Sequence, residues 1–195
     1  MRVTEDQFND IKALVIKETG ALVSFYDKKE FVKKIEGYCV FEEPYHLFVC
    51  RSQDKKCYNR ATIVLLHEAG HLIDYLKHKN SPRLNAIVFG IANYDPTRVI
   101  TNDATKLSKK AQVWILKTEW YANFYAKKFA IKYKLDFLFK QLDIEQITDY
   151  RYVHSELVVG QPASRETMRE WKKVLKSKKN RQLITLNDVD ALRYV

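Results

Sequence analysis

His67-Glu68-Ala69-Gly70-His71 is the segment of this 195-residue chain whose residue types and spacing are best suited to chemistry. Two imidazoles four residues apart on a helix project from one face and can share one zinc ion, and the intervening glutamate then stands beside the metal's open position. With the chain's own His and Glu frequencies, H-E-x-x-H should arise by accident only about 0.008 times in such a sequence, so chance explains it poorly. The competing reading is a core helix whose histidines merely hydrogen-bond. The flanks describe the helix itself: Ala61 to Leu66 is essentially apolar, and Leu72-Ile73-Asp74-Tyr75-Leu76 returns to helical amphipathicity. The motif helix is expected from about Tyr58 to Lys79.

A catalytic zinc usually takes three protein ligands and leaves its fourth position to water. The extended pattern with a third histidine fails, because Asp74 and Lys77 occupy the positions that it would need. A carboxylate from a second helix is the better model, and Glu119 is the leading candidate. It lies within a strong helical pattern from Ala111 to Tyr133, with Ala122 and Asn123 one turn further on, where a small residue permits close helix packing. Cys57, ten residues before His67, is a less suited thiolate alternative. Asp74 and Asn123 are candidates to orient the ligand imidazoles through their outer ring N–H groups. Hydrolysis would also need a stabiliser for the developing oxyanion. His154 is one candidate, with Tyr121 and Tyr152 behind it, although a structural role is the ordinary reading of each.

These residues must be positioned by a surrounding fold. Thr4-Glu5-Asp6-Gln7 has the form of a capping box that opens a first helix through Phe8, Ile11, Leu14 and Val15, and Gly20 closes it. From Ala21 to Arg51 the texture turns β-branched and aromatic, notably at Val23-Ser24-Phe25, Tyr38-Cys39-Val40-Phe41 and His46-Leu47-Phe48-Val49-Cys50, with Glu42-Glu43-Pro44-Tyr45 as a turn. The expectation is an α+β, mainly helical fold with a small antiparallel sheet packed beside the metal helix and a second ligand-bearing helix. An edge strand from 38–41 or 47–50 would suit an extended peptide. Residues 28–34 read as a short helix or a loop, 52–56 as a polar connection, and 80–110 as a long excursion beside the site. Short helices follow at 135–142 and, capped by Ser164, at 164–178, separated by Gly160-Gln161-Pro162. Residues 1–135 would form the catalytic domain and 136–195 a basic helical extension packed on it.

Composition bounds the class. With 46% hydrophobic residues and 13% aromatics the chain can build a real core. No apolar run reaches the roughly 18 residues needed to span a bilayer, and the first residues lack the apolar stretch of a signal peptide, so a cytoplasmic protein without a membrane partner is expected. The three cysteines, Cys39, Cys50 and Cys57, show no C-x-x-C spacing and read as reduced thiols. Of the net charge of +10, residues 1–104 contribute 15 basic and 14 acidic groups, and residues 105–195 contribute 19 and 10. Arg165, Arg169, Lys172, Lys173, Lys176, Lys178, Lys179 and Arg181 face only Glu166 and Glu170 in their segment. A solvated helix face is the ordinary reading, and contact with a nucleic acid or an acidic protein the sharper one.

The motif, together with Glu119-Trp120-Tyr121-Ala122-Asn123-Phe124-Tyr125-Ala126, resembles the zinc metallopeptidases of the ImmA/IrrE type. Their metal helix carries H-E-x-G-H, and a later helix carries a pattern like E-x-x-A-N-x-F-A, in which this chain has tyrosine for the phenylalanine. Arg60 ahead of the motif and the preceding sheet extend the resemblance over roughly residues 35–130, and the C-terminal third has no counterpart. The resemblance implies a gluzincin-like site, with His67, His71 and Glu119 as zinc ligands and Glu68 as general base. It also implies a protein substrate, since some relatives act on transcriptional repressors. Two other classes compete with a zinc endopeptidase: a nucleic-acid- or protein-binding module with a structural or vestigial metal site, and a zinc hydrolase acting on a non-peptide bond.

Overall fold

The structure is a computed structural model, and it describes residues 2–26, 36–50, 58–85, 108–157, 163–177, 181 and 183–191. The segments expected at 28–34, 52–56 and 160–162, Cys57, Lys178, Lys179 and most of the excursion at 80–110 lie outside the described residues. The elements in chain order are α1 (Glu5–Thr19), β1 (Leu22–Tyr26), β2 (Gly37–Val40), β3 (His46–Cys50), α2 (Asn59–His78), α3 (Pro82–Asn85) and α4 (Lys109–Lys132). A 3-10 turn (Asp136–Leu138), α5 (Phe139–Leu157), α6 (Arg165–Val174) and α7 (Leu186–Ala191) complete it. The fold is α+β and mainly helical, as expected.

By their contacts, the residues group into two compact units. The first holds residues 1–78 and 121–139, and the second holds residues 79–120 and 140–195. The division falls inside α4, which runs through it without a break.

The first unit contains the sheet and the motif helix. Thr4 caps α1 with both halves of the capping box in place, and Gly20 ends the helix at φ 68°, a left-handed conformation that glycine adopts without steric cost. Phe8, Ile11 and Val15 are buried along one stripe of α1. The sheet order is β1-β3-β2, with β2 antiparallel to β3 and β1 parallel to it. The expectation of a wholly antiparallel sheet is therefore corrected to a mixed one. Leu47 and Val49 are both fully buried, so β3, the most apolar strand, takes the centre. The turn at 42–45 makes β2 and β3 a hairpin, and β1 is left to pair with the other edge of β3, in the parallel sense. Cys39 pairs across to Leu47 and Cys50 to Tyr26, which places the two sulfurs on opposite faces, and neither forms a disulfide. At the end of α4, Lys132 and Tyr133 both donate to the Glu18 carboxylate of α1, which holds that carboxyl below its usual range.

In the second unit, Val113, Ile115 and Leu116 of α4 form a core with Val189, against which Trp120, Tyr150, Val153 and Ile184 pack. Trp120 Nε1 also donates to the Ile184 carbonyl at 2.7 Å. The helix expected at 135–142 is instead the 19-residue α5, which starts later and runs much further. Its β-branched and aromatic residues favour a helix weakly, and packing of Ile144 and Ile147 against Leu175 of the next segment supplies what local propensity does not. Ser164 caps α6 by accepting from Thr167 N at 3.0 Å.

Glu145 is buried at 5% exposure, and Lys172 of α6 donates to it at 2.8 Å. Removing the lysine would take a charged partner from a carboxylate that is almost fully buried. Lys172→Met is expected to cost about 2 kcal/mol in chemical denaturation, below the value for a fully buried pair because the lysine is partly exposed. Adding Glu145→Gln should recover most of the loss. A double variant no more stable than Lys172→Met alone would contradict this account.

Candidate metal centre

α2 is buried on nearly every side: Ala61 to Leu66, Ala69 and Leu72 are all within the core, packed on β2, β3 and α1. A helix so deeply fixed holds its side chains in set directions. His67 and His71 leave it on one face, their rings crossing at 89° and their Nε2 atoms 3.1 Å apart. Asn123 of α4 places Oδ1 3.3 Å from His67 Nδ1. If that ring nitrogen carries the proton and donates to Asn123, Nε2 presents its lone pair to the space shared with His71.

Glu119 stands one turn before Asn123 on α4. His67, His71 and Glu119 each offer a ligand atom, and the three atoms lie within 4.8 Å of one another. Among the described residues this is the one such group of His, Cys, Asp and Glu side chains. A tetrahedral zinc with bonds of roughly 2.0–2.1 Å spaces its ligand atoms about 3.3 Å apart. The imidazole pair already matches that spacing, and a modest adjustment of the carboxylate would complete it. Two imidazoles and one carboxylate also form a donor set suited to zinc with one position left open. The residues therefore fit the metal.

Two glycines let the walls approach. A Cβ on Gly70 would lie 2.1 Å from the Ala122 carbonyl oxygen, so only a glycine allows α4 to cross α2 this closely. That crossing lies between His67 and His71 on one helix and beside Asn123 on the other. A Cβ on Gly37 would lie 2.5 Å from Val64 Cγ1 and 2.9 Å from both Cγ and Oε1 of Glu68. The start of β2 is thus seated on the general-base candidate, which is itself only 7% exposed. Burial, with the charge of Glu68 as a second cause, pushes the Cys39 thiol well above its ordinary range. For the Tyr26 hydroxyl, burial is again the main cause of a raised pKa, and Cys50 and Glu68 add to it. Arg60, in the first turn of α2, pairs with Glu36 and ties the residue before β2 to the same helix.

The remaining candidates are distributed as follows. Asp74 is fully buried and bonded to His78 Nδ1 at 2.9 Å. The Tyr121 ring lies 5.9 Å from that of His78 and 6.3 Å from that of Tyr125. Tyr152 and His154 sit on α5, where the His154 ring lies 5.9 Å from Tyr150 and burial lowers its pKa. His154 is not a member of the three-residue group. In the basic run, Lys172 is bonded to Glu145, Lys173 to Glu170 at 3.5 Å, and Arg181 to the Leu175 and Lys176 carbonyls, while Arg169 and Lys176 are exposed.

Sequence reasoning missed Gly37, His78 and Arg83. Arg83 on α3 is 9% exposed and donates to Thr118 Oγ1 at 2.7 Å, bracing the residue before Glu119. Only its position after Pro82, at a helix start, could have drawn attention to it. No family model, curated protein or solved structure matches the chain.

Proposed function

We propose that the protein is a zinc-dependent endopeptidase of the ImmA/IrrE type that hydrolyses a peptide bond in a cytoplasmic protein, a regulator such as a repressor. The observation that carries this reading is the approach of His67, His71 and Glu119 within 4.8 Å, with Glu68 between the two histidines on the same helix. No helix of the described residues is long and apolar enough to cross a membrane.

Zinc held by such a set lowers the pKa of a water in its open position toward about 7 and polarises a carbonyl oxygen. The protein's own groups do the rest. The Glu68 carboxylate, kept from bulk water by β2, accepts the proton of the attacking water and returns one to the leaving amine nitrogen. Asn123 holds the His67 ring in the orientation that turns Nε2 inward.

β2 is an outer strand of the sheet among the described residues, and it offers a way to hold the peptide. Cys50 N donates to the Glu36 carbonyl, so in this antiparallel ladder residues 36, 38 and 40 face β3. Gly37 and Cys39 then direct their N–H and C=O groups to the outer edge, with Gly37 in contact with Glu68. A peptide paired to that edge would pass the general base.

The test is a peptide library derived from a cell extract, incubated with the zinc-loaded protein, with new amino termini mapped by mass spectrometry. Termini generated by the wild type and lost with Glu68→Gln support the reading. Identical terminus profiles for the two proteins and a no-enzyme control would overturn it.

A further inference from the structure

Asp74 poses a question that the ligand set does not answer. It is a fully buried carboxylate on α2, outside the metal-binding group, and such a group is costly unless donors satisfy it. Residues 67, 71, 74 and 78 follow one another at steps of four, three and four along α2, so they form a single stripe on the helix. Asp74 lies one turn beyond His71, at the spacing where helical side chains are neighbours at roughly 5–6 Å between Cβ atoms. From the other side, His78 Nδ1 reaches Asp74 Oδ1 at 2.9 Å. The His78 side chain is 42% exposed and its ring lies beside that of Tyr121, so it stands between the buried carboxylate and solvent.

We infer that His78 is a positioning residue for the metal-binding imidazole of His71, acting through Asp74; the inference rests on the zinc reading above. An imidazole that binds a metal through one nitrogen commonly donates its other N–H to a carboxylate, which fixes the ring and raises its basicity. A carboxylate can do this only if it is itself held. His78 supplies the second anchor: its Nδ1–H engages Oδ1 and excludes water from the outer side of Asp74. Without it, the carboxylate turns toward water or another donor, and the His71 ring loses its fixed orientation. His78 touches neither metal nor substrate in this scheme.

The test compares His78→Leu with His78→Asn, whose side-chain amide nitrogen sits close to the place of Nδ1. Zinc affinity is measured by competition with a chromogenic chelator, and the melting temperature of each metal-free protein is recorded alongside. His78→Leu is expected to weaken zinc binding about tenfold, the lower end of the effect of removing a carboxylate that supports a metal ligand, and His78→Asn to restore most of it. Equal zinc affinity of His78→Leu and the wild type would overturn the inference, as would a His78→Asn protein as weak as His78→Leu. A lower metal-free melting temperature with unchanged zinc affinity would make His78 merely structural and would also overturn it. Wild-type zinc binding that survives His67→Ala would instead overturn the metal reading on which the inference stands.

Discussion

Glu68→Gln is expected to slow peptide hydrolysis by about 10²–10⁴-fold, the usual worth of a positioned general base, while zinc remains bound. Glutamine has nearly the volume of glutamate, so it fits the space between α2 and the Cβ-free backbone of Gly37, where the carboxylate now lies. It cannot take a proton from water. The proposed ligands His67, His71 and Glu119 are untouched by the change, and the fold should melt as the wild type does. The comparison must be made on zinc-loaded proteins with kcat and KM separated. A loss confined to kcat is the expected result, since a general base acts on protons in flight rather than on substrate binding. A variant with undiminished kcat would remove Glu68 from the chemistry.

Gly70→Ala should be the most damaging single-methyl change in the first unit. On an isolated helix the substitution would stabilise by roughly 1 kcal/mol, because glycine is a poor helix former. Here the added carbon would meet the Ala122 carbonyl oxygen at 2.1 Å and its carbon at 2.8 Å. Both are backbone atoms of a helix and cannot rotate aside, so α4 must move away from α2. Overpacking of this kind costs about 1–3 kcal/mol, and a net destabilisation of roughly 2 kcal/mol is expected. The displacement would also carry Asn123 and Glu119 away from the histidines. Zinc affinity should fall along with the denaturation midpoint, and a Gly70→Ala protein that binds zinc as the wild type does would show that the close crossing does not set the site.

Local spacing made half of the centre legible. His67 and His71 are one helical turn apart, so their convergence follows from α2 alone, and the Thr4–Gln7 capping box is legible for the same reason. Glu119 could be picked out because it lies in a strongly helical stretch with Ala122 and Asn123 one turn further on, and Asn123 does reach His67. The sheet order was not legible: alternation assigns residues to faces but does not say which strand takes the middle or whether a neighbour runs parallel. Gly37, His78 and Arg83 were invisible for a related reason. Each matters only because of a residue far away in the chain or a turn away on a helix, Gly37 through Glu68, Arg83 through Thr118 and His78 through buried Asp74. In the basic run, composition counted the cations correctly, yet Lys172 and Arg181 proved to be bonded within the chain rather than simply displayed. Sequence charge alone cannot separate these two uses of a lysine or arginine.

The most direct measurement of the central claim is the zinc content of protein purified without added metal and then dialysed against a single zinc equivalent, read by mass spectrometry of the metal. The wild type should hold about one zinc per chain, and Glu119→Ala and His71→Ala only a small fraction of that, because each removes one of three protein ligands. Glu119→Ala retaining zinc at the wild-type level would contradict the three-ligand centre.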